Sequence, residues 1–448
     1  MFKGSLRPMK NPLINKVSII LFLILLFILE VYILKINPLV IIFIISLFLY
    51  LEFKKKISEG IPYKITHLIL LYLLFVFISD TVIRNNRPIY FIPFSLIPIL
   101  VTVIFSDLEI SLIMSFALGI RLSFQINNFY WGIILFTTGI FSSLISWKPR
   151  RRFKIIQAGI FSGLIQCIEL FFMHNFMIKE DFLIYPWLFL NGFVSGIVVS
   201  GVLPIFEYLF ERITNISLLE LSDFNSPLLK EMILKAPGTY HHSLIVGNLS
   251  EAASEAIGAD SLLSRIGAYY HDIGKIIRPQ YFIENQLSNQ AFHEKLSPAL
   301  SKLIIVNHVK EGIRLAKRYK LNKKIIDFIA QHHGTSLVYY FYLKALEDNK
   351  EDVDDKLFRY PGPKPKTKET AIVLLADSVE AASRVLRDPN PNKIAELVRR
   401  VVNSKFIDGQ LDECPLTLRD LEKITEVFIR ILTSMYHVRV AYPQGVSS

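Results

Sequence analysis

At 448 residues, with a mean hydropathy of +0.40 and 52% hydrophobic residues, the chain is too apolar for an ordinary soluble enzyme and long enough for two domains. The formal net charge of +11 does not point to nucleic acid: up to Arg212 there are 19 Lys and Arg against 11 Asp and Glu, and beyond it 31 against 28, so most of the excess flanks apolar blocks. Only Cys167 and Cys414 are present, which excludes a disulfide framework.

Before about residue 210 the apolar residues come in nearly uncharged blocks, each about the length a helix needs to cross a hydrocarbon core. They predict about eight spans, at 17–35, 37–51, 65–79, 88–105, 107–125, 128–146, 154–173 and 183–206. The first has a basic lead-in (Lys3, Arg7, Lys10, Lys16), yet it runs past signal-peptide length and reads as a retained anchor. With that lead-in, Lys54-Lys55-Lys56 with Lys64, and Lys148 to Arg152 with Lys154 on one side, the positive-inside rule puts the N-terminus and everything after residue 210 in the cytoplasm. Asp107 and Glu109 are expected at a membrane interface, and Arg121 and Glu169 near span ends, where charged residues more often cap or snorkel than serve a site.

Charge returns at Glu207, Glu211 and Arg212, and Ser226-Pro227 reads as an N-cap and first-turn pair. The organisation is therefore a transmembrane domain (1–210), a coupling linker (211–239) and a soluble domain (240–448), all α throughout. In the soluble part helical periodicity predicts helices at 241–257, 261–271, 297–319, 322–332, 336–348, 367–386, 390–405 and 417–436, with start signals at Asn322, Thr367 and Thr417. Lys350 to Lys368, rich in acidic residues and prolines, reads as a long surface loop or lid.

Seven of the ten histidines fall between 241 and 333: His241-His242, His271 before Asp272, His293, His308 and His332-His333. One alone would be an ordinary core or surface histidine. Two adjacent pairs and a His-Asp pair in apolar helical sequence instead suggest borderline divalent metals. A carboxylate among imidazoles can bridge two ions, a recurring solution for displacement at phosphorus. Asp377, on a helix that opens with five apolar residues, is costly to bury unless paired or metal-bound, and Glu380 shares its face as a second-rank candidate.

His271-Asp272-Ile273-Gly274-Lys275 is the HDxGK signature of HD-domain phosphohydrolases. Together with Tyr240-His241-His242-Ser243, Tyr281 to Gln286, Gln331 to Ser336 and Phe358 to Pro363, it resembles the membrane-bound 7TM-HD family, whose members hydrolyse cyclic-di-AMP. The resemblance implies a two-metal site in which Asp272 bridges the ions, His242, His271 and Asp377 complete one, and His308, His332 and His333 the other. It implies two divalent transition metals, Mn or Fe foremost, and a linear dinucleotide, pApA, as product. His241 is expected to support a ligand, and His293 to sit at the surface or a channel mouth.

On a helix continuing through the motif, Lys275 would face the side of His271 and its ammonium could contact phosphate, making it catalytic with Asp272. Gly274 would permit close approach of backbone or substrate, and Gly334-Thr335 would offer donors to the other phosphate. Tyr269, Tyr270, Tyr339, Tyr340 and Tyr360 are weak candidates for base stacking, since aromatic residues at helical spacing more often belong to the core. The pairs of histidines lack the Gly-Tyr-Pro motif of the cyclic-di-GMP branch. Rival readings are an HD hydrolase of cyclic-di-GMP or an alarmone, an inactive nucleotide-binding signalling domain, and a transporter with a regulatory soluble part. The expected partners are a cyclic dinucleotide, membrane lipid and a second copy of the chain, with no DNA or RNA. Relatives of this type often carry an external domain between the first two spans, for which Lys35 to Pro38 leaves no room.

Overall fold

The structure is a computed structural model that describes residues 21, 23–57, 65–176, 182–286, 292–294, 296–348, 353–387 and 389–436. It is helical throughout and divides into two compact units between Ile216 and Ser217. The basic lead-in, Lys64, Lys179 and Lys350 lie outside the described residues.

In the first unit a helical stretch at 23–28 runs into a π-helical turn, Leu29–Ile33. There follow α1 (Pro38–Ile57), α2 (Ile65–Arg84), α3 (Leu96–Phe105), α4 (Leu108–Ile126), α5 (Phe129–Ile145), α6 (Arg152–Phe176) and α7 (Ile184–Leu209). Four of these, over Ile65–Arg84, Leu108–Ile126, Arg152–Met173 and Ile184–Leu209, are long and apolar enough to cross a membrane, and the apolar helices at Pro38–Glu52, Ile89–Phe105 and Phe129–Ile145 are shorter. The chain is thus an integral membrane protein, and among the described residues four helices are of full spanning length. Each apolar stretch from the sequence contains helix among its described residues, yet breaks shorten some: 88–105 splits into a 3-10 turn (Ile89–Phe91) and a ten-residue helix stopped by the left-handed Ser106. Asp107 accepts from the backbone N–H groups of Glu109 and Ile110 and so caps α4, the role expected of a boundary carboxylate.

Large side chains such as Leu39, Phe77 and Phe182 point outward, as a lipid-facing surface requires. Between α6 and α7 two small-residue pairs face each other, Gly159 and Gly163 against Gly192 and Gly196. A Cβ on Gly192 would lie 2.3 Å from the Gly163 amide nitrogen, so these helices touch backbone to backbone. Arg121 departs from expectation. It is wholly buried and ion-paired with the equally buried Glu30 of the π-helical turn, Nε lying 3.2 Å from both carboxylate oxygens, and Nη1 donates to Ser79 Oγ at 3.0 Å and to Gln125. The charge does not snorkel because Glu30 meets it inside the bundle.

The second unit holds α8 (Asn215–Leu221, which begins just before it), α9 (Pro227–Lys235), α10 (Pro237–Ala256), α11 (Ser261–Tyr270), α12 (Pro298–Arg318), α13 (Lys323–Gln331), α14 (Tyr339–Asp348), α15 (Lys368–Ser383), α16 (Pro391–Ile407) and α17 (Leu418–Tyr436). Sequence start signals act as caps: Asn322 accepts from Lys324 N, Thr367 and Thr370 form a capping box, and Thr417 Oγ1 accepts from Asp420 N. Ser226 precedes a first-turn proline as predicted, but its hydroxyl makes no cap and lies 3.5 Å from the Tyr270 hydroxyl. The described part of the predicted lid is tied down. Val338 N donates to Phe358 O and Tyr360 N to Ser336 O, and Tyr360 is buried. Buried α15, apolar around most of its surface, runs through the centre of this unit and brings Asp377 inside it.

Candidate metal centre

The HDxGK sequence does not continue as a helix. Helix α11 stops at Tyr270 and the chain turns into a 3-10 helix over Ile273–Ile277. Gly274 makes this possible: a Cβ there would fall 1.8 Å from the His308 carbonyl oxygen, so the turn carrying Asp272 seats directly on the backbone of α12. As a result His308 Nε2 comes within 3.2 Å of Asp272 Oδ1.

Three imidazoles are oriented in the same way. His271, His308 and His332 each place Nδ1 against the carbonyl oxygen three residues earlier, Ala268 at 2.6 Å, Ile305 at 2.6 Å and Ile329 at 3.0 Å. A carbonyl can only accept, so Nδ1 carries a proton and Nε2 is the nitrogen that faces inward. From there His271 and His332 reach Asp272 at 3.3 and 3.5 Å. His242 Nδ1 meets Glu380 Oε2 at 2.5 Å, and its Nε2 lies 3.0 Å from Asp377 Oδ1. His333 is the most open, stacked on Tyr360 at 4.2 Å between ring centres with Nδ1 3.4 Å from Asp377 Oδ2.

Among the described residues these side chains form two groups that could each hold a metal ion: His242, His271, Asp272 and Asp377, and Asp272, His308, His332 and His333, with ligand atoms within 4.8 Å of one another in each. Asp272 belongs to both. The donor set fits a cation on a separate ground. His271 Nε2 and Asp272 Oδ1 are buried without a hydrogen-bond partner, a costly condition that divalent ions relieve. The site is therefore a binuclear metal-binding cluster of five imidazoles and two carboxylates, without thiolate.

Electrostatics agree with that chemistry. Burial would raise the Asp272 carboxyl, but Lys275 and His271 beside it hold it well below the ordinary carboxylate range. Burial likewise opposes ionisation of Asp377, and the hydrogen bonds of His242 and His271 hold it well below that range. Burial disfavours a charge on His271, yet the Asp272 and Asp377 carboxylates raise it to about 10. Burial pushes His332 down to about 4, so it offers a neutral ring.

The family can now be assigned. Residues 31–214 match the family described as "7TM receptor with intracellular HD hydrolase", and residues 239–382 match the HD domain. The chain belongs to the 7TM-HD family. Cyclic-di-AMP phosphodiesterase PgpH of Bacillus subtilis (strain 168) is 39% identical over 425 residues, which cover 90% of this chain and 59% of that protein. The protein of the same name from Listeria monocytogenes serotype 1/2a (strain 10403S) is 39% identical over 399 residues, 87% of this chain and 55% of that one. The chain thus spans under three fifths of the length of these relatives. A crystal structure of the L. monocytogenes PgpH HD domain in complex with cyclic-di-AMP is 47% identical, covering 48% of this chain and all of that one, with a TM-score of 0.47.

In this 7TM-HD chain several of the expected donors are engaged within the protein. Lys275 is not presented from a helix toward a phosphate: its ammonium lies 2.7 Å from Asp272 Oδ2 and 2.8 Å from Glu284 Oε1, over the Phe282 ring. Gly334 and Thr335 follow the histidine pair, but the Thr335 N–H donates to Gln410 Oε1 at 2.7 Å and Gln410 Nε2 donates to Thr335 Oγ1 at 2.9 Å, so these donors are committed to the protein. The close approach at Gly274 is to backbone. Tyr270 donates its hydroxyl to Leu221 O, Tyr269 packs against Phe224, and Tyr339 and Tyr340 are exposed; of the five tyrosines only Tyr360 lines the cavity of about 450 Å³ that contains the centre. His241 is exposed and outside the cluster, and His293 packs on Tyr281 and Phe341 in an adjoining cavity.

Two supporting residues, Glu284 and Gln410, carry no signal in the sequence, because the pairing of Glu284 with Lys275 and of Gln410 with Thr335 are tertiary contacts. Glu380, the second-rank candidate, is placed on His242.

Proposed function

We propose that the chain is a metal-dependent phosphodiesterase that hydrolyses cyclic-di-AMP to pApA at the membrane. The observation that carries the reading is Asp272, one buried carboxylate common to two metal-binding groups. The cyclic-di-AMP phosphodiesterase activity of the PgpH relatives supports the substrate. In this reading His242, His271 and Asp377 complete one site, His308, His332 and His333 the other, and Asp272 bridges them. When bound, a pair of divalent ions activates water and neutralises charge developing on the phosphate. The chain's own residues prepare that chemistry. Lys275, held by Glu284, keeps Asp272 ionised; the i−3 carbonyls fix three histidine tautomers; Glu380 fixes His242.

Mn or Fe is favoured because the donors are imidazole and carboxylate. The basic clusters support a cytoplasmic N-terminus and HD domain, with 1–210 as anchor, 211–239 as coupling segment and 240–448 as hydrolase. A second copy of the chain is an expected partner, and DNA and RNA are not. Full-length protein in detergent, loaded with Mn or Fe, is assayed against four cyclic dinucleotides by kcat/KM. Preference for cyclic-di-AMP supports the reading; preference for cyclic-di-GMP, or binding without release of linear product, replaces it with a rival. Asp272→Ala is expected to lose turnover at least 1,000-fold, an order-of-magnitude figure for removing a buried bridging charge, while helical content by circular dichroism is retained. Full activity in that variant refutes the bridging role.

A further inference from the structure

A cyclic dinucleotide carries two phosphodiesters, and the metal centre can engage one at a time. The other brings a negative charge into the same cavity, where carboxylates already abound: Asp377, Glu284 and Glu380 all line it. The donors that sequence analysis offered for it are committed, Lys275 to Asp272 and Glu284, and Thr335 to Gln410. One further cation lines the cavity, Arg384.

Arg384 lies seven residues after Asp377, at the end of α15, and so on nearly the same helix face about 10 Å further along. Its Nε and Nη2 lie 2.7 and 2.6 Å from Glu380 Oε1, and the residue lines the cavity. The other oxygen of Glu380 holds His242, so the guanidinium is fixed relative to the metal ligands before substrate arrives. Its side chain is 34% exposed, open enough to meet a ligand, and beside it Ile283 and Val385 stand exposed as an apolar rim suited to a base or ribose. A planar guanidinium suits the two free oxygens of a phosphodiester.

We propose that Arg384 binds the phosphate that is not being cleaved, and so selects substrates carrying a second phosphate at a fixed distance from the first. The assignment rests on the phosphodiesterase reading. It is tested with full-length, Mn-loaded protein on cyclic-di-AMP and on bis(p-nitrophenyl) phosphate, which has a single phosphodiester. Arg384→Met is expected to raise KM for cyclic-di-AMP roughly 10- to 100-fold, the worth of a charge-assisted hydrogen bond, and to lower kcat/KM on that substrate at least tenfold more than on the single diester. Arg384→Lys recovers part of the difference, and Arg384→Gln serves in place of the methionine variant if that one does not fold. Equal losses on both substrates, or a loss of bound Mn matching that of Glu380→Gln, overturn the assignment, since Arg384 would then act through Glu380. If the wild type cleaves the single diester and no cyclic dinucleotide, the functional reading itself fails, an outcome visible before any variant is made.

Discussion

At the scale of single residues, the site is decided by which nitrogen of each histidine holds the proton. Three backbone carbonyls and one carboxylate settle that for His271, His308, His332 and His242. Supporting carboxylates of this kind are worth about 10- to 100-fold in metal affinity. Glu380→Gln is therefore expected to weaken the site containing His242 by that factor while leaving the one containing His308 nearly intact, which a two-site titration with Mn would resolve; equal weakening of both would count against the geometry. Protons compete with the ions. His271 is raised to about 10 by its carboxylate neighbours, so it is protonated at neutral pH before metal binds, while Asp272 is held low and has already lost its proton. Metal loading must then release a proton from His271, and affinity rises with pH up to about 10. Calorimetry in buffers of different ionisation enthalpy should show net proton release on metal loading at pH 7; no buffer dependence would contradict this.

At the scale of elements, close backbone contact places what side-chain periodicity cannot. Gly274 lets the Asp272 turn sit on α12, and the Gly159/Gly163 and Gly192/Gly196 pairs let α6 and α7 meet. A leucine at Gly192 has no room against the Gly163 backbone. Gly192→Leu is expected to destabilise the membrane unit by about 1 to 3 kcal/mol, the usual cost of overpacking, or to separate the two helices. A thermal unfolding midpoint in detergent that does not move would show that the helices do not depend on this contact. The loop after the His332-His333 pair is set in the same tertiary way, with Arg359 bridging Thr335 O and Asp408, and Lys405 reaching Ser336.

At the scale of the molecule, each unit buries a charged cluster, and only the one in the soluble unit has the donors for metal. The other is the Glu30 and Arg121 pair inside the first unit, where removing one partner strands the other charge. Glu30→Ala and Arg121→Ala are each expected to cost roughly 3 to 5 kcal/mol, and the double variant less than their sum. Additive losses in detergent unfolding would mean that the two charges do not interact. The sequence by itself determined the all-helical class, the apolar first half, several helix starts through their caps, and the clustering of histidines with Asp272 and Asp377, because periodicity, capping and the histidine and aspartate pattern are local signals; the seven-ligand set followed from the resemblance to the 7TM-HD family. Only the tertiary structure decided that α11 breaks before Asp272, that Lys275 and Thr335 are spoken for by Glu284 and Gln410, that Arg121 is paired within the bundle, and that Arg384 faces the cavity. Those outcomes depend on residues up to 91 positions apart meeting in space, and the spacing of residues along a chain carries no record of which distant partner will satisfy a buried charge.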